Sequence, residues 1–197
     1  MSHTLSKRRS AMKNRPSTAF KYNFRAPGSD VEGPIRYAIG KTVREMILVG
    51  KSRRGICAIF LGDSHQALVD ELEAEFPHNP LETDQLGLHR ELVQVIAFID
   101  KDIAEGVIDL DIGGTPFQQQ VWQALCGIPA GQTRSYGEVA RDLGVPEAVR
   151  AVASACAANV LAVAIPCHRV VRRDGSVSGY RWGVDRKRAL LSKESEQ

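Results

Sequence analysis

The sequence predicts an α/β domain over residues 34–112, followed by a mainly α, winged-helix-like domain over 113–197. Three observations point that way. Strand-like apolar runs alternate with helix-spaced apolar residues between Ile35 and Ile112. Further on, two helix patterns flank the short turn Leu143-Gly144-Val145-Pro146, which is the spacing of a helix-turn-helix. Last, Asp174-Gly175 lies between Val170-Val171 and Val177, a tight-turn signal for a hairpin wing.

Taken in order, residues 1–33 come first and read as a disordered basic tail. Lys7, Arg8, Arg9, Lys13, Arg15, Lys21 and Arg25 all precede the first acidic residue, Asp30, and Pro16, Pro27, Gly28 and Gly33 break any periodicity. Such a tail is either an extra phosphate-binding arm or a solvated leader. Strands are expected from Val43 to Val49 and from Gly55 to Gly62. Ser64 to Phe76 has helical spacing, with Leu68, Leu72 and Phe76 on one face; Leu86 to about Ile103 repeats it with Leu92, Val95, Ile96 and Ile99. Ile108, Leu110 and Ile112 then alternate with Asp109 and Asp111 as a half-buried strand.

In the second half, Thr115 caps a helix reaching about Cys126, with Phe117, Val121, Trp122 and Leu125 inward. Pro129 and Gly131 break it. Ser135-x-x-Glu138 is a capping box that opens a short helix. Pro146 starts the next, which runs to about Asn159. On that helix Val149, Val152, Ala153 and Cys156 share an inward face, while Glu147, Arg150, Ala151, Ser154 and Ala158 face out. Base-reading helices carry several long polar side chains. This outward face is mostly small, so it suits close approach to a groove without sequence readout and counts against a sequence-specific transcription factor. Arg150 is the exception, unless it simply pairs with Glu147. A last helix, basic then acidic, is expected from about Val184 to Ser195.

Composition narrows the class. Apolar residues make up 43% of the 197, ordinary for a globular protein with its own core. The net charge of +3 does not by itself prove a polyanionic partner. Its distribution says more, because Arg169, Arg172, Arg173, Arg181, Arg186, Lys187 and Arg188 form a second basic group. The four cysteines, Cys57, Cys126, Cys156 and Cys167, show no CxxC pair, so no metal site is expected. No secretory segment or membrane-length apolar run stands out, which points to a reducing cytoplasm and no membrane partner. No cofactor fingerprint occurs. Cys57, Cys126 and Cys156 read as core thiols.

Chemistry concentrates at Ile165-Pro166-Cys167-His168-Arg169-Val170. Pro166 stiffens this stretch and favours an extended Ile165. In an extended segment Cys167 and His168 point to opposite sides, so a water or a third group is the easier link between them. A thiol beside an imidazole is expected to ionise below its ordinary range of about 8.5.

This hexapeptide resembles the active-site signature of the O6-alkylguanine-DNA alkyltransferases. So do Thr115 to Leu125, Ser135-Tyr136-Gly137-Glu138-Val139-Ala140, Ala148-Val149-Arg150-Ala151-Val152 and Ser178-Gly179-Tyr180-Arg181-Trp182-Gly183, in the family's order. The resemblance runs from about Val31 to Glu194 and is closest to the C-terminal half of Ada-type members. It implies a ribonuclease-H-like first domain and a bacterial, DNA-associated monomer that binds double-stranded DNA containing O6-alkylguanine. The implied reaction is irreversible transfer of the alkyl group from O6-methylguanine, and O4-methylthymine, to Cys167, in one turnover and without a cofactor.

It also implies a role for each site residue. Cys167 is the nucleophile and His168 its base through a water. Glu194 orients and charges His168, where the residue alone would read as a solvated helix end. Tyr136 donates to guanine N3. Asn159 braces the active-site turn, a role compatible with a helix C-cap. Val170 and Arg181 read guanine through their backbones, and Tyr180 lines the pocket. Trp182 covers the alkyl group, which suggests a pocket suited to methyl and poor for benzyl. Arg150 fills the gap left by the flipped base, with Ala151 and Ser154 beside it on the minor groove. The zinc-bound four-cysteine module of Ada-type proteins has no counterpart in Met1 to Asp30, so repair is expected rather than regulation. A cysteine hydrolase, the other reading of a Cys-His pair, would turn over repeatedly.

Overall fold

The computed structural model describes residues 20–101 and 106–196. Strands β1 (Phe20–Phe24), β2 (Ile35–Lys41), β3 (Met46–Lys51), β4 (Ile56–Gly62), β5 (Leu81–Thr83) and β6 (Ile108–Ile112) form one mixed sheet in the order β1-β6-β4-β3-β2-β5. Helices α1 (His65–Glu75) and α2 (His89–Lys101) pack against it. The chain then runs through α3 (Pro116–Cys126), β7 (Arg134–Ser135), α4 (Tyr136–Asp142), α5 (Val149–Ala157), a 3-10 turn at Cys167–Arg169, β8 (Val170–Val171) and α6 (Val184–Ser195). One apolar core continues through both halves, from Phe60 and Leu68 to Val121, Val152 and Ile165.

Several expectations are corrected. The tail ends earlier than residue 33, because Phe20–Phe24 is a strand paired in parallel with β6. Phe-Lys-Tyr-Asn-Phe alternates like any half-buried strand. Phe20 is buried edge-on against Phe98 with ring centroids 5.0 Å apart, while Lys21 and Asn23 meet Asp109 outside. The basic neighbours masked that pattern. Residues 1–19, where the rest of the expected tail falls, lie outside the described residues, as does the expected helix end near Ile103.

The expected strand from Val43 to Val49 is really a turn followed by a strand. Val43 is 82% exposed, and the Thr42 hydroxyl accepts from the backbone N–H groups of Arg44 and Glu45. A threonine turn outcompetes strand propensity there. Helix α2 begins at His89 rather than Leu86, because the Asp84 carboxylate accepts from Gly87 N–H and holds a turn. In β6, Asp111 is buried, not outward. It takes a hydrogen bond of 2.6 Å from Ser52 Oγ and pairs with Arg25 at 3.1 Å.

In the second half the Ser135–Glu138 capping box forms as read, and the expected Thr115 cap proves to be a second such box, closed by Gln118. Helix α5 starts at Val149, three residues after Pro146, which sits in a turn. Glu147 therefore stays off the helix, and Val149 is 39% exposed; Val152, Ala155 and Cys156 make the inward face. Trp122 Nε1 donates to Ala155 O at 2.8 Å and so fastens α3 to α5. The expected hairpin wing is absent among the described residues. Asp174-Gly175 does make a turn, with Arg172 N–H donating to Ser176 O. Val170–Val171 pairs instead in parallel with Arg134–Ser135.

Candidate active site

Cys167 sits at the end of a turn that both halves of the molecule hold. Leu161 bridges in parallel to Ile59 of β4, with Ile59 N–H donating to Val160 O and Ala162 N–H to Ile59 O. Tyr22 of β1 donates its hydroxyl to Ala164 O at 3.1 Å. Between these anchors Val163 adopts φ 58°, a left-handed conformation that a β-branched residue rarely takes. The chain then enters the 3-10 turn Cys167–Arg169, which replaces the extended backbone expected after Pro166.

Asn159, fully buried, ties this turn together. Its Nδ2 donates to Leu161 O, to Ile165 O at 3.0 Å and to Cys167 Sγ at 3.1 Å, and its Oδ1 accepts from Leu161 N–H. Burial pushes the Cys167 thiol up to about 11, against the pull of the Asn159 amide. Cys167 therefore rests as a neutral thiol, not as the depressed thiolate expected from its neighbour.

Behind it lies a carboxylate shared by an imidazole and a guanidinium. His168 Nε2 is 2.8 Å from Glu194 Oε1, and Arg169 donates from Nε and Nη2 to the same carboxylate. Burial pushes Glu194 up, but the His168 and Arg169 hydrogen bonds outweigh it and hold the carboxyl down at about 2. Burial lowers the pKa of His168 and outweighs Glu194, whose charge Arg169 already shares. The imidazole is thus neutral at rest, contrary to the expected charging by Glu194. Nε2 carries the proton toward Glu194, which leaves Nδ1 as the basic nitrogen. Nδ1 is buried and has no protein hydrogen-bond partner. Gly131 closes the arrangement. Its N–H faces Glu194 Oε2, and at φ 76° an added Cβ would meet Glu194 O at 3.0 Å.

Cys167 opens on a cavity of about 550 Å³. Helix α5 supplies Ala153, Cys156 and Ala157 to its wall, α4 supplies Tyr136, and the segment Ser178 to Arg181 closes the far side. Burial raises the pKa of both Tyr136 and Tyr180, so both are neutral phenols. Tyr136 donates weakly to Ser178 O at 3.3 Å, and Tyr180 OH is buried without a partner. Val170 is buried beside the cavity rather than lining it, and its carbonyl accepts from Lys187. Arg150, Ala151 and Ser154 share the exposed face of the same helix α5.

Trp182 is misplaced in the sequence reading. It is 4% exposed, stacks edge-on against Tyr180 and tilts against Phe60, and lines a different cavity together with Arg186 and Lys193. An indole is better buried against aromatic core than held over a pocket mouth. Two residues were missed. Arg169 looked like one of several basic groups, yet it belongs to the Glu194 pair. Lys187 looked like surface charge on a basic helix, yet it is fully buried and donates to Val170 O, Ser178 O and Gly179 O. Cys156 was expected only in the core, and it also faces the cavity.

A buried thiol held by an amide, backed by a His–Glu–Arg cluster and walled by the second helix of the α4–turn–α5 pair, defines a protein with a cysteine-centred site. Comparison with known proteins narrows the class. Residues 116–196 match the family model of the 6-O-methylguanine DNA methyltransferase DNA-binding domain. The inducible methylated-DNA–protein-cysteine methyltransferase of Bacillus subtilis is 34% identical over 80% of this chain and 83% of its own length. OGT of Mycobacterium tuberculosis, solved in complex with DNA, superposes with a TM-score of 0.68 at 33% identity, over 82% of this chain and 93% of that one. The chain belongs to the methylated-DNA–protein-cysteine methyltransferase family. It is also 52% identical to the regulatory protein Ada of Salmonella typhimurium over 88% of this chain, and to the bifunctional Ada of Escherichia coli over 82%. It spans about half the length of those two relatives. No helix among the described residues is long and apolar enough to cross a membrane.

Proposed function

We propose that this protein repairs alkylated DNA by moving the alkyl group of O6-alkylguanine onto Cys167. The observation that carries the reading is the Asn159-held Cys167 thiol, which opens on the α5-walled cavity with a neutral His168 hydrogen-bonded to the Glu194 carboxylate behind it. A base inside duplex DNA cannot reach a buried thiol, so the nucleotide must be flipped out at a cost of a few kcal/mol. Helix α5 is suited to flipping. Its outer face carries Arg150, Ala151 and Ser154, and its inner face walls the cavity. Arg150 fills the gap in the stack, while the two small residues let the helix approach the minor groove.

His168 Nδ1 accepts the Cys167 proton through one water, and the charge that forms on the imidazole is stabilised by Glu194. Sγ attacks the alkyl carbon as the carbon–O6 bond breaks, and the bonding electron pair stays on O6. Tyr136 donates to guanine N3 and so improves the leaving group. Tyr180 and the backbone of Arg181 hold the base. The product, a thioether, has no acyl carbon for water to attack, so each molecule acts once.

Incubating the protein with duplex DNA bearing O6-methylguanine and measuring intact mass should show at most one methyl gained per chain, mapped to Cys167. Cys167→Ala should bind the same DNA and gain none. Repair continuing well beyond equimolar amounts would rule the thioether out.

A further inference from the structure

Two glutamates from the first half of the chain grip the wall of the thiol cavity. Arg181 lines that cavity. Its Nε donates to Glu71 Oε1 at 2.8 Å and its Nη2 to Glu75 Oε2 at 2.8 Å. The same guanidinium lies 5.4 Å from the ring centroid of Phe60 in β4. Glu71 and Glu75 stand one turn apart on α1, an arrangement of like charges that disfavours the helix by itself. A guanidinium between them removes that repulsion, and its planar fork with separate donors fits two carboxylates where a lysine would meet them as a point charge.

We propose that Glu71, Glu75 and Arg181 form a clamp by which helix α1 sets the position of the Tyr180–Arg181 wall, making all three positioning residues for alkyl transfer. The clamp draws the Arg181 side chain toward α1 and away from Cys167, which leaves cavity volume free and places the Arg181 backbone for the extruded base. Lys187 fixes the other end of the same segment through Ser178 O and Gly179 O. Cutting the clamp from either side loosens the wall. The role in transfer rests on the alkyltransferase reading; the role in shaping access to Cys167 does not.

The test compares wild type, Glu71→Gln/Glu75→Gln, Arg181→Met and the variant combining all three. Thermal melts check that each is folded. Methyl transfer from O6-methylguanine duplex should slow about tenfold in either clamp-cut variant at saturating DNA, since small misplacements cost up to about a hundredfold. The DNA concentration at half-saturation should change little. The combined variant should lose no more than Arg181→Met alone, as expected for residues acting through one contact. A second readout needs no DNA: the rate at which iodoacetamide labels Cys167, followed by mass spectrometry, should rise several-fold in every clamp-cut variant. Additive losses, or unchanged transfer and labelling, would overturn the clamp. If wild type transfers no methyl, the alkyltransferase reading fails, and the labelling rates still decide whether α1 positions the wall.

Discussion

Asn159 does with one amide what the sequence assigned to it in outline. It braces the turn, and it also places a donor on the Cys167 sulfur. Cys167 and His168 stood out because the Pro-Cys-His-Arg run is so specific, and Glu194 only through the family resemblance. Their protonation states were not legible, because burial decides those and burial is a property of the packed molecule. Glu194 gives the sharpest test at this scale. Its folded pKa of about 2 lies below its ordinary 4.5, so its contribution to stability is present above pH 4.5 and is lost as pH falls through 2. A shift of that size corresponds to roughly 3 kcal/mol. Glu194→Gln should therefore lower the urea midpoint at pH 7, and the gap to wild type should close as pH falls from 4.5 toward 2. A gap that stays constant across that range would mean the carboxylate gains nothing from His168 and Arg169.

Elements with strong local signals were readable: the Thr115 cap, the Ser135 capping box, the helix read between Ser64 and Phe76 and the glycine-bounded β4 all stand where the sequence put them. Elements set by distant partners were not. β1 exists because β6 offers it an edge, and β8 pairs with β7 rather than forming a wing. The segment from Ser178 to Gly183 shows the same limit. Its residues were read as one pocket wall, but Trp182 turns into the core while Tyr180 and Arg181 line the thiol cavity. Trp182→Gly should then act as a core truncation, destabilising by about 3–5 kcal/mol in urea unfolding. It should not selectively speed inactivation by O6-benzylguanine. Readier benzyl transfer with an unchanged urea midpoint would return the indole to the alkyl site.

At the scale of the whole molecule, the two halves work as one body. The sheet carries the active-site turn through Tyr22 and Ile59, and α1 carries the cavity wall through Arg181. This constrains how the basic start of the chain is tested. Deleting residues 1–25 would remove β1, including the Phe20 contact, the Tyr22 hydrogen bond and the Arg25–Asp111 pair, so lost repair would report lost packing. Deleting residues 1–17 leaves β1 whole and removes Lys7, Arg8, Arg9, Lys13 and Arg15. Each phosphate contact contributes about 0.9 to the slope of log affinity against log salt. If all five cations meet phosphates, the shorter deletion should flatten that slope by about 4.5 and leave the urea midpoint where it was. An unchanged slope, measured by DNA binding between low and physiological salt, would make those residues a solvated leader. The DNA footprint would then rest on the folded surface around α5 alone.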